Sequence, residues 1–170
     1  MIHLGIKTNM QLAAIRCNMS KSHLSVIPPL VLIEPIRFMQ VGWMTSRIDH
    51  FSPDGRTWQQ RYFFNSTFYK PGGPVFLCVG GEGPPLTENV VITGEYHCAL
   101  MVHLASQHSA LIVALEHRYY GKSQPFADLS TPNLRFLSSR QALQDIAMFH
   151  EHIMSLLSLP PDTKWVTFGG

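Results

Sequence analysis

Charge is scarce in this sequence. Only 14% of its 170 residues are charged, and 13 basic against 11 acidic side chains leave a formal net charge of +2. There is no run of lysine or arginine. A surface that binds nucleic acid needs clustered positive side chains to neutralise phosphates. We therefore expect no nucleic-acid partner.

Long apolar runs are also missing. The most apolar stretch, residues 24–33, has ten residues and contains Pro28 and Pro29, whereas a membrane-spanning helix needs about 20 apolar residues. We therefore expect no membrane span. Lys21 precedes this stretch, but no small-x-small cleavage site follows it, so there is no convincing signal peptide. Because residues 1–45 show no clear periodicity, we interpret them as a poorly ordered leader of unclear origin.

Cysteine is scarce, and no residues have the spacing of a metal site. The three cysteines, Cys17, Cys78 and Cys98, cannot all pair within the chain and include no C-x-x-C. Cys78 lies in an apolar run and is most simply a small buried hydrophobic residue. The sequence His150-Glu151-His152 lacks the H-E-x-x-H spacing of zinc peptidases. We expect no metal and no cofactor.

Residues 46–170 carry an alternating pattern of strands and helices. Short apolar runs bounded by turn residues are typical of strands buried on both faces of a parallel sheet. The segments between them include amphipathic helices. We predict an α/β fold, a mostly parallel sheet with crossover helices, over residues 46–170, which form one domain or a piece of a larger one. The predicted strands are 58–64, 75–79, 110–115 and 164–168, and the predicted helices are 96–108 and 138–159.

The strongest helix signal lies in residues 138–159. Ser138, followed three residues later by Gln141, matches a capping box, and Pro160 and Pro161 end the helix. Apolar side chains recur on one face, which we therefore predict to pack on the sheet. These side chains are Leu143, Ile146, Phe149, Ile153 and Leu157.

A glycine-rich loop follows the predicted strand 75–79. Glycines there allow backbone N–H groups to face a ligand, either as an oxyanion donor of a hydrolase or as a pyrophosphate cradle. The dinucleotide interpretation needs a helix to open at the loop, but Pro84 and Pro85 follow instead. We therefore predict an oxyanion or substrate loop, made of Gly80, Gly81, Glu82 and Gly83.

A second polar loop follows the strand 110–115. Gly121-Lys122-Ser123 resembles the end of a phosphate-binding loop, but Glu116 stands where that motif needs glycine. We interpret the segment as a loop that braces an active site, with Glu116 and Arg118 as buried ion-pair partners of each other. Its residues are Glu116, His117, Arg118, Tyr119, Tyr120 and Gly121.

The last predicted strand runs directly into Gly169 and Gly170. In a G-x-S-x-G nucleophile elbow the serine lies on a strained turn between strand and helix, and the flanking glycines relieve crowding. On this feature alone an ordinary glycine turn is the better interpretation. If the elbow is present, Gly169 and Gly170 begin it, the nucleophile is expected immediately after Gly170, and the chain contains no catalytic residue.

Taken in order, these segments resemble the family of lysosomal Pro-X carboxypeptidase, dipeptidyl peptidase II and thymus-specific serine protease. Residues 133–140 are most similar to the last of these. The matching stretches are Asp49-His50-Phe51, Gln60-Arg61-Tyr62-Phe63, Gly73-Pro74-Val75-Phe76-Leu77, Gly80-Gly81-Glu82-Gly83, residues 115–123, residues 137–143 and Trp165-Val166-Thr167-Phe168-Gly169-Gly170.

The resemblance implies an α/β-hydrolase fold, truncated here at the nucleophile elbow, with peptide substrates, a Ser-Asp-His triad and exopeptidase chemistry often directed at proline. It also implies a lysosomal, endosomal or secreted location and a possible homodimer. In a secretory chain, Asn65 of the sequon Asn65-Ser66-Thr67 would be a glycosylation site. Because the triad is expected outside these residues, we predict that the chain is inactive alone. The alternatives are a non-catalytic binding fragment and another α/β hydrolase such as an esterase.

Overall fold

A computed structural model of the chain describes residues 39–95 and 98–169. The expectations for residues 1–38, for Cys17 and for Gly170 lie outside the described residues. The described strands form one five-stranded sheet in the order β1-β2-β4-β3-β5. Their bounds are β1 Met39–Arg47, β2 Thr57–Asn65, β3 Val75–Val79, β4 Leu111–Leu115 and β5 Trp165–Phe168.

The sheet is mixed. Strand β3 pairs in parallel with both β4 and β5, as the sequence predicts for the carboxyl-terminal strands. Strand β2 runs antiparallel to both β1 and β4. The α/β class is therefore confirmed, with three parallel strands and an antiparallel pair at one side.

Four helices accompany the sheet in the described residues. Their bounds are α1 Asn89–Ile92, α2 Ala99–His108, α3 Thr131–Leu134 and α4 Ser139–Leu156. The predicted helices 96–108 and 138–159 correspond to α2 and α4. Helices α1 and α3 were not predicted, because four residues are too few to show a periodic pattern.

The parallel strands are buried on both faces, as their continuous apolar runs predict. On one face, Leu77 and Val113 pack with Phe149 of α4. On the other face, Phe76 and Ile112 pack against α1 and α2. Burial on both faces explains why these strands lack the alternation of polar and apolar residues found in a sheet with one wet face.

The amino-terminal end of α4 is only partly as predicted. The Ser138 hydroxyl accepts a hydrogen bond from the Gln141 backbone N–H at 3.3 Å, which confirms the cap. The Gln141 side chain does not return to Ser138. Its Nε2 donates to Asp49 at 2.6 Å, and its Oε1 accepts from the His50 backbone N–H at 2.9 Å. The cap therefore ties the helix to the turn after β1.

The predicted apolar stripe of α4 holds for Ile146, Phe149, Ile153 and Leu157, which pack with the core, and fails at Leu143. Phe149 and Ile153 are fully buried, but Leu143 is 63% exposed. In the first half the buried residues are Gln141 and Asp145. The prediction for Leu143 is wrong because this half of the helix faces polar loops rather than the apolar face of the sheet.

Strand β1 begins at Met39, inside the segment interpreted as a leader. Its register against β2 runs from Met39 opposite Asn65 to Arg47 opposite Thr57. Val41 and Trp43 are more than 40% exposed. Residues 39–47 show no clear alternation of polar and apolar side chains, so the strand is recognised only by its hydrogen-bonded pairing with β2.

A disulfide bond joins Cys78 in β3 to Cys98, the residue before α2. Both residues are fully buried. The interpretation of Cys78 as only a small buried hydrophobic residue is therefore wrong. The chain passes through α1 before returning over β3, so a sequence separation of 20 becomes a Cα–Cα distance of 5.9 Å.

We predict that this disulfide stabilises the fold. Closing a loop of this length restricts the unfolded chain by about 3 kcal/mol. The double variant Cys78→Ala/Cys98→Ala should lose about that much unfolding free energy in urea titrations. Reduction with TCEP should lower the unfolding free energy of the native protein to a similar value and leave that of the double variant unchanged. A native unfolding midpoint that does not move once both thiols are reduced would contradict the prediction.

We also predict that His152 lowers stability in acid. His152 Nε2 lies 3.2 Å from the Tyr62 hydroxyl, and burial holds the pKa of His152 below its usual 6.5. The folded chain then binds fewer protons than the unfolded chain, so stability falls as pH drops from 6.5 to the folded pKa.

The variant His152→Gln should show a smaller loss of unfolding free energy between pH 8 and pH 5 than the native protein. Urea titrations at both pH values measure the difference. The comparison at pH 8 is the internal control, because His152 is neutral there in both states. An equal loss in both proteins would show that His152 does not contribute.

Candidate functional site

The three loops singled out in the sequence come together at one edge of the sheet. They follow β3, β4 and β5, and parallel strands bring their carboxyl ends to the same edge. Gly80 donates a backbone hydrogen bond to Leu115 O at 2.9 Å. Gly169 follows β5 beside β3, and a Cβ on it would lie 3.8 Å from Val79 O. Gly170 is outside the described residues.

Gly80 is the glycine that packing requires in the first loop. A Cβ there would lie 2.6 Å from Leu115 O and 3.0 Å from the His117 backbone nitrogen. The loops after β3 and β4 can touch only because that side chain is absent. Gly81, Glu82 and Gly83 are exposed, and a Cβ on Gly83 would meet nothing within 4 Å.

Glu116 is held from the β2 side of its loop. Its carboxylate accepts from Arg61 Nη2 at 2.5 Å and Arg61 Nε at 3.2 Å. It also accepts from the Ser123 hydroxyl at 2.7 Å and the Lys122 backbone N–H at 3.1 Å. Glu116 is 1% exposed. The buried charge is fully compensated, as a buried carboxylate requires.

Arg118 is held from the α4 side. Its Nε and Nη2 donate to the Asp145 carboxylate at 2.6 and 2.9 Å. Its other three N–H groups donate to the carbonyls of Arg47, Ile48 and Phe136. All five donors of this fully buried guanidinium are therefore used.

Glu116 and Arg118 do not pair with each other, so that prediction is wrong. Both are buried ion-pair partners, but Glu116 binds Arg61 and Arg118 binds Asp145. The loop turns between them, so the two side chains reach different partners. Arg61 and Asp145 were missed as partners, because nothing in the local sequence matches them to the loop.

Asp145 is also the centre of a wider buried cluster. Its Oδ1 accepts from the Ser46 hydroxyl at 2.7 Å and lies 2.7 Å from His50 Nε2. The contact between His50 and Asp145 spans 95 residues of sequence. Nearby, hydrogen bonds from the Phe51 backbone and Gln141 hold the pKa of Asp49 below its usual value.

The rest of the second loop is stiffened by internal contacts. His117 Nδ1 lies 2.8 Å from Arg118 O, and since a carbonyl only accepts, Nδ1 carries the proton. Tyr119 has a positive φ of 70°, and its hydroxyl donates to Asn133 O at 2.5 Å. Burial raises the pKa of Tyr119.

Gly121 also has a positive φ, and a side chain there would collide with the Glu116 carboxylate. The ring of Tyr120 contacts the ring of His117 edge-on.

Asn65 does not fit the role of a glycosylation site. Its Nδ2 donates to Val91 O at 2.8 Å, and its Oδ1 accepts from Thr67. The residue is 6% exposed. A glycan on Nδ2 must reach solvent, whereas this nitrogen is bonded in a buried position against α1.

Two chemical arrangements do not occur among the described residues. Within 39–95 and 98–169, no serine hydroxyl hydrogen-bonds a histidine ring, and no group of three His, Cys, Asp or Glu side chains could hold a metal ion. In the same part of the chain, no helix is both long and apolar enough to cross a membrane.

A mixed sheet with glycine-rich and polar loops gathered at the carboxyl ends of its parallel strands defines an α/β protein, the class in which ligands generally bind at that edge. The chain belongs to the serine carboxypeptidase S28 family, whose sequence pattern matches residues 46–170. It is therefore a member of a family of serine peptidases, which are hydrolases.

Individual relatives agree with the family. A Caenorhabditis elegans protein assigned as serine protease K12H4.7 is 43% identical over 127 residues, 74% of this chain and 24% of the relative. Thymus-specific serine protease of Mus musculus is 41% identical over 132 residues, 76% of this chain and 25% of the relative. An Arthroderma benhamiae protein assigned as an extracellular serine carboxypeptidase is 35% identical over 135 residues, 72% of this chain and 18% of the relative. The chain spans about a quarter or less of the length of these relatives.

We predict that removing one partner of the ion pair between Arg118 and Asp145 destabilises the fold more than removing both. The variant Arg118→Met leaves a buried carboxylate without its cation, which costs about 3–5 kcal/mol of unfolding free energy. Urea titrations measure this loss. The double variant Arg118→Met/Asp145→Leu should regain part of it, because no unpaired charge remains.

The matched control is Arg56→Met, which removes the exposed pair between Arg56 and Asp54. Its effect should be small, because solvent screens exposed pairs. If Arg118→Met is as stable as the control variant, or if the double variant is less stable than the single one, the prediction is wrong.

Proposed function

We propose that residues 46–170 form the amino-terminal part of an α/β-hydrolase-type serine exopeptidase domain. The observation that carries the proposal is the meeting of three loops at the carboxyl edge of β3, β4 and β5. In hydrolases of this type, one oxyanion donor follows the third strand and the nucleophile elbow follows a neighbouring strand. The 80–83 loop after β3 and Gly169 after β5 are proposed to correspond to these two elements.

The proposed roles follow from the geometry. The Gly80 N–H is donated to Leu115 O, so the proposed oxyanion donors are the backbone N–H groups of the exposed residues Gly81, Glu82 and Gly83, which follow β3 next to β5. The end of β4 and the start of the loop Glu116–Gly121 hold Gly80 in place, since its N–H is bonded to Leu115 O and its Cα packs close to the His117 backbone. The nucleophile is expected directly after Gly170, at the turn that β5 enters.

The chain as given is proposed to be inactive by itself. Acyl transfer needs a hydroxyl activated by a base. Among the described residues, no serine hydroxyl hydrogen-bonds a histidine ring: His50 Nε2 faces Asp145, and His117 Nδ1 faces Arg118 O. A base and a nucleophile would have to come from elsewhere in a longer product.

An oxidising compartment, lysosomal, endosomal or secreted, is proposed for the protein. The disulfide between Cys78 and Cys98 supports this, because disulfides persist in the secretory path and are rare in the cytosol. One relative is assigned as extracellular. The glycosylation expected at Asn65 is no part of the proposal.

Labelling with a fluorophosphonate tests the proposed nucleophile. The 170-residue chain and any longer product of the same reading frame would be treated with the probe and mapped by mass spectrometry. We expect no label on the 170-residue chain and one label on a serine directly after Gly170 in a longer product. Labelling of any serine within residues 39–169 would refute the proposed site.

Peptide assays test the proposed reaction. A longer product should release the dye from a dipeptidyl-proline reporter or the last residue from a Pro-X peptide, and should spare a peptide blocked at both ends. Cleavage of the doubly blocked peptide would exclude an exopeptidase. Hydrolysis of p-nitrophenyl acetate without any peptide cleavage would favour an esterase.

A further inference from the structure

The disulfide between Cys78 and Cys98 lies directly beside the last residue of β5. Cys78 is the register partner of Phe168 in the parallel pair of β3 and β5. Cys98 is the residue before α2, and its Sγ lies 3.7 Å from Phe168 O. Because a bonded sulfur has no hydrogen to donate, this is a packing contact. Both halves of the disulfide therefore adjoin Phe168.

The end of β5 has little other support in the described part of the sheet. The strand has four residues, and among residues 39–95 and 98–169 it pairs with β3 alone. Val166 is 44% exposed. The Phe168 ring packs on the Phe76 ring with 5.2 Å between centroids. A short, partly exposed strand of this kind opens locally more easily than the core does, so each contact at its end counts.

The bond makes the contact from Cys98 a rigid one. Cys78 is fully buried in β3, between β4 and β5, and the bond carries this fixed position to Cys98. The side chain of Cys98 makes no capping hydrogen bond to α2, so the helix itself does not fix it. Two thiols also need more room than a disulfide, because unbonded sulfur atoms stay at van der Waals separation. Breaking the bond therefore acts on the neighbouring Phe168 carbonyl.

This carbonyl belongs to the peptide that leads out of β5. Phe168 O and the Gly169 nitrogen share one planar unit, so a contact that holds the oxygen also orients the next residue. Gly169 begins the proposed elbow. Catalytic groups have to be held within about 0.5 Å of their working positions. The placement of this one peptide therefore matters for whatever follows it.

We propose that the disulfide between Cys78 and Cys98 positions the end of β5, so that the strand enters the proposed elbow in one fixed geometry only in the oxidised chain. The proposal rests on the proposed function for its meaning in catalysis, but its effect on β5 is measured without turnover. Both cysteines are positioning residues, since they act through the peptide between Phe168 and Gly169. This role differs from the overall stabilisation predicted above, which leaves the native order of β5 unchanged.

Backbone ¹⁵N relaxation and hydrogen exchange of the 170-residue chain test the proposal. Because both cysteines are fully buried, the chain would be reduced with TCEP in urea and then refolded. TCEP and water convert the disulfide to two thiols and the phosphine to its oxide. The order parameters of Thr167 and Phe168 should be about 0.85 in the oxidised chain and below about 0.6 after reduction. The β5 amides should exchange faster after reduction, because the strand opens locally.

Two variants separate positioning from overall stability. Cys78→Ala/Cys98→Ala should behave like the reduced chain and needs no reductant. Val90→Ala is the control, because it removes fully buried methyl groups from α1, which packs on β2 and β4 rather than on β5. It should lower the overall stability and leave the order and exchange of β5 at their native values.

The proposal is supported if β5 loosens in the reduced chain and in the double variant, recovers on reoxidation, and stays native in Val90→Ala. It is overturned if β5 keeps its native order without the bond, or if Val90→Ala loosens it equally. If the reduced chain does not refold, the double variant decides. A failed exopeptidase assay would leave these results unaffected, whereas an ordered β5 without the bond would refute this proposal alone.

Discussion

The ion pair between Arg118 and Asp145 is the contact on which the carboxyl edge of the sheet depends. From one buried position, the guanidinium reaches α4, the end of β1 and the segment after α3. Replacing both partners of such a pair by well-packed apolar residues changes stability little. Removing only one partner is very costly, because it leaves an unpaired buried charge. Neither residue can therefore change without the other. The pair also fixes the positions of α4, the end of β1 and the loop that carries Arg118 relative to one another.

A second ion pair, between Arg61 and Glu116, holds the same loop from the β2 side. The backbone contact from Gly80 to Leu115 then extends this order to the loop after β3. Oxyanion donors are effective when they are fixed before the reaction, because no reorganisation is then needed. If the 80–83 loop has the proposed role, its contact with the end of β4 is what holds its first residue in place before a ligand binds.

The helix α4 serves two purposes along its length, and this explains its unusual composition. Its second half packs Phe149 and Ile153 against the sheet as an ordinary amphipathic helix does. Its first half places Gln141 and Asp145 in buried polar contacts. The second half of the helix thus stabilises the core, while the first half is bonded to the loops at the carboxyl ends of the strands.

The sequence by itself determined the parallel strands, α4 and the three loops, because each has a local signal: an apolar run, a cap or a glycine after a strand. Strand β1 and the short helices α1 and α3 lacked such a signal. Only the tertiary structure decided the partners of Glu116 and Arg118 and the pairing of Cys78 with Cys98. These contacts join residues 55, 27 and 20 positions apart. The order of helices and strands around the sheet sets these contacts, and no periodicity within a segment encodes them.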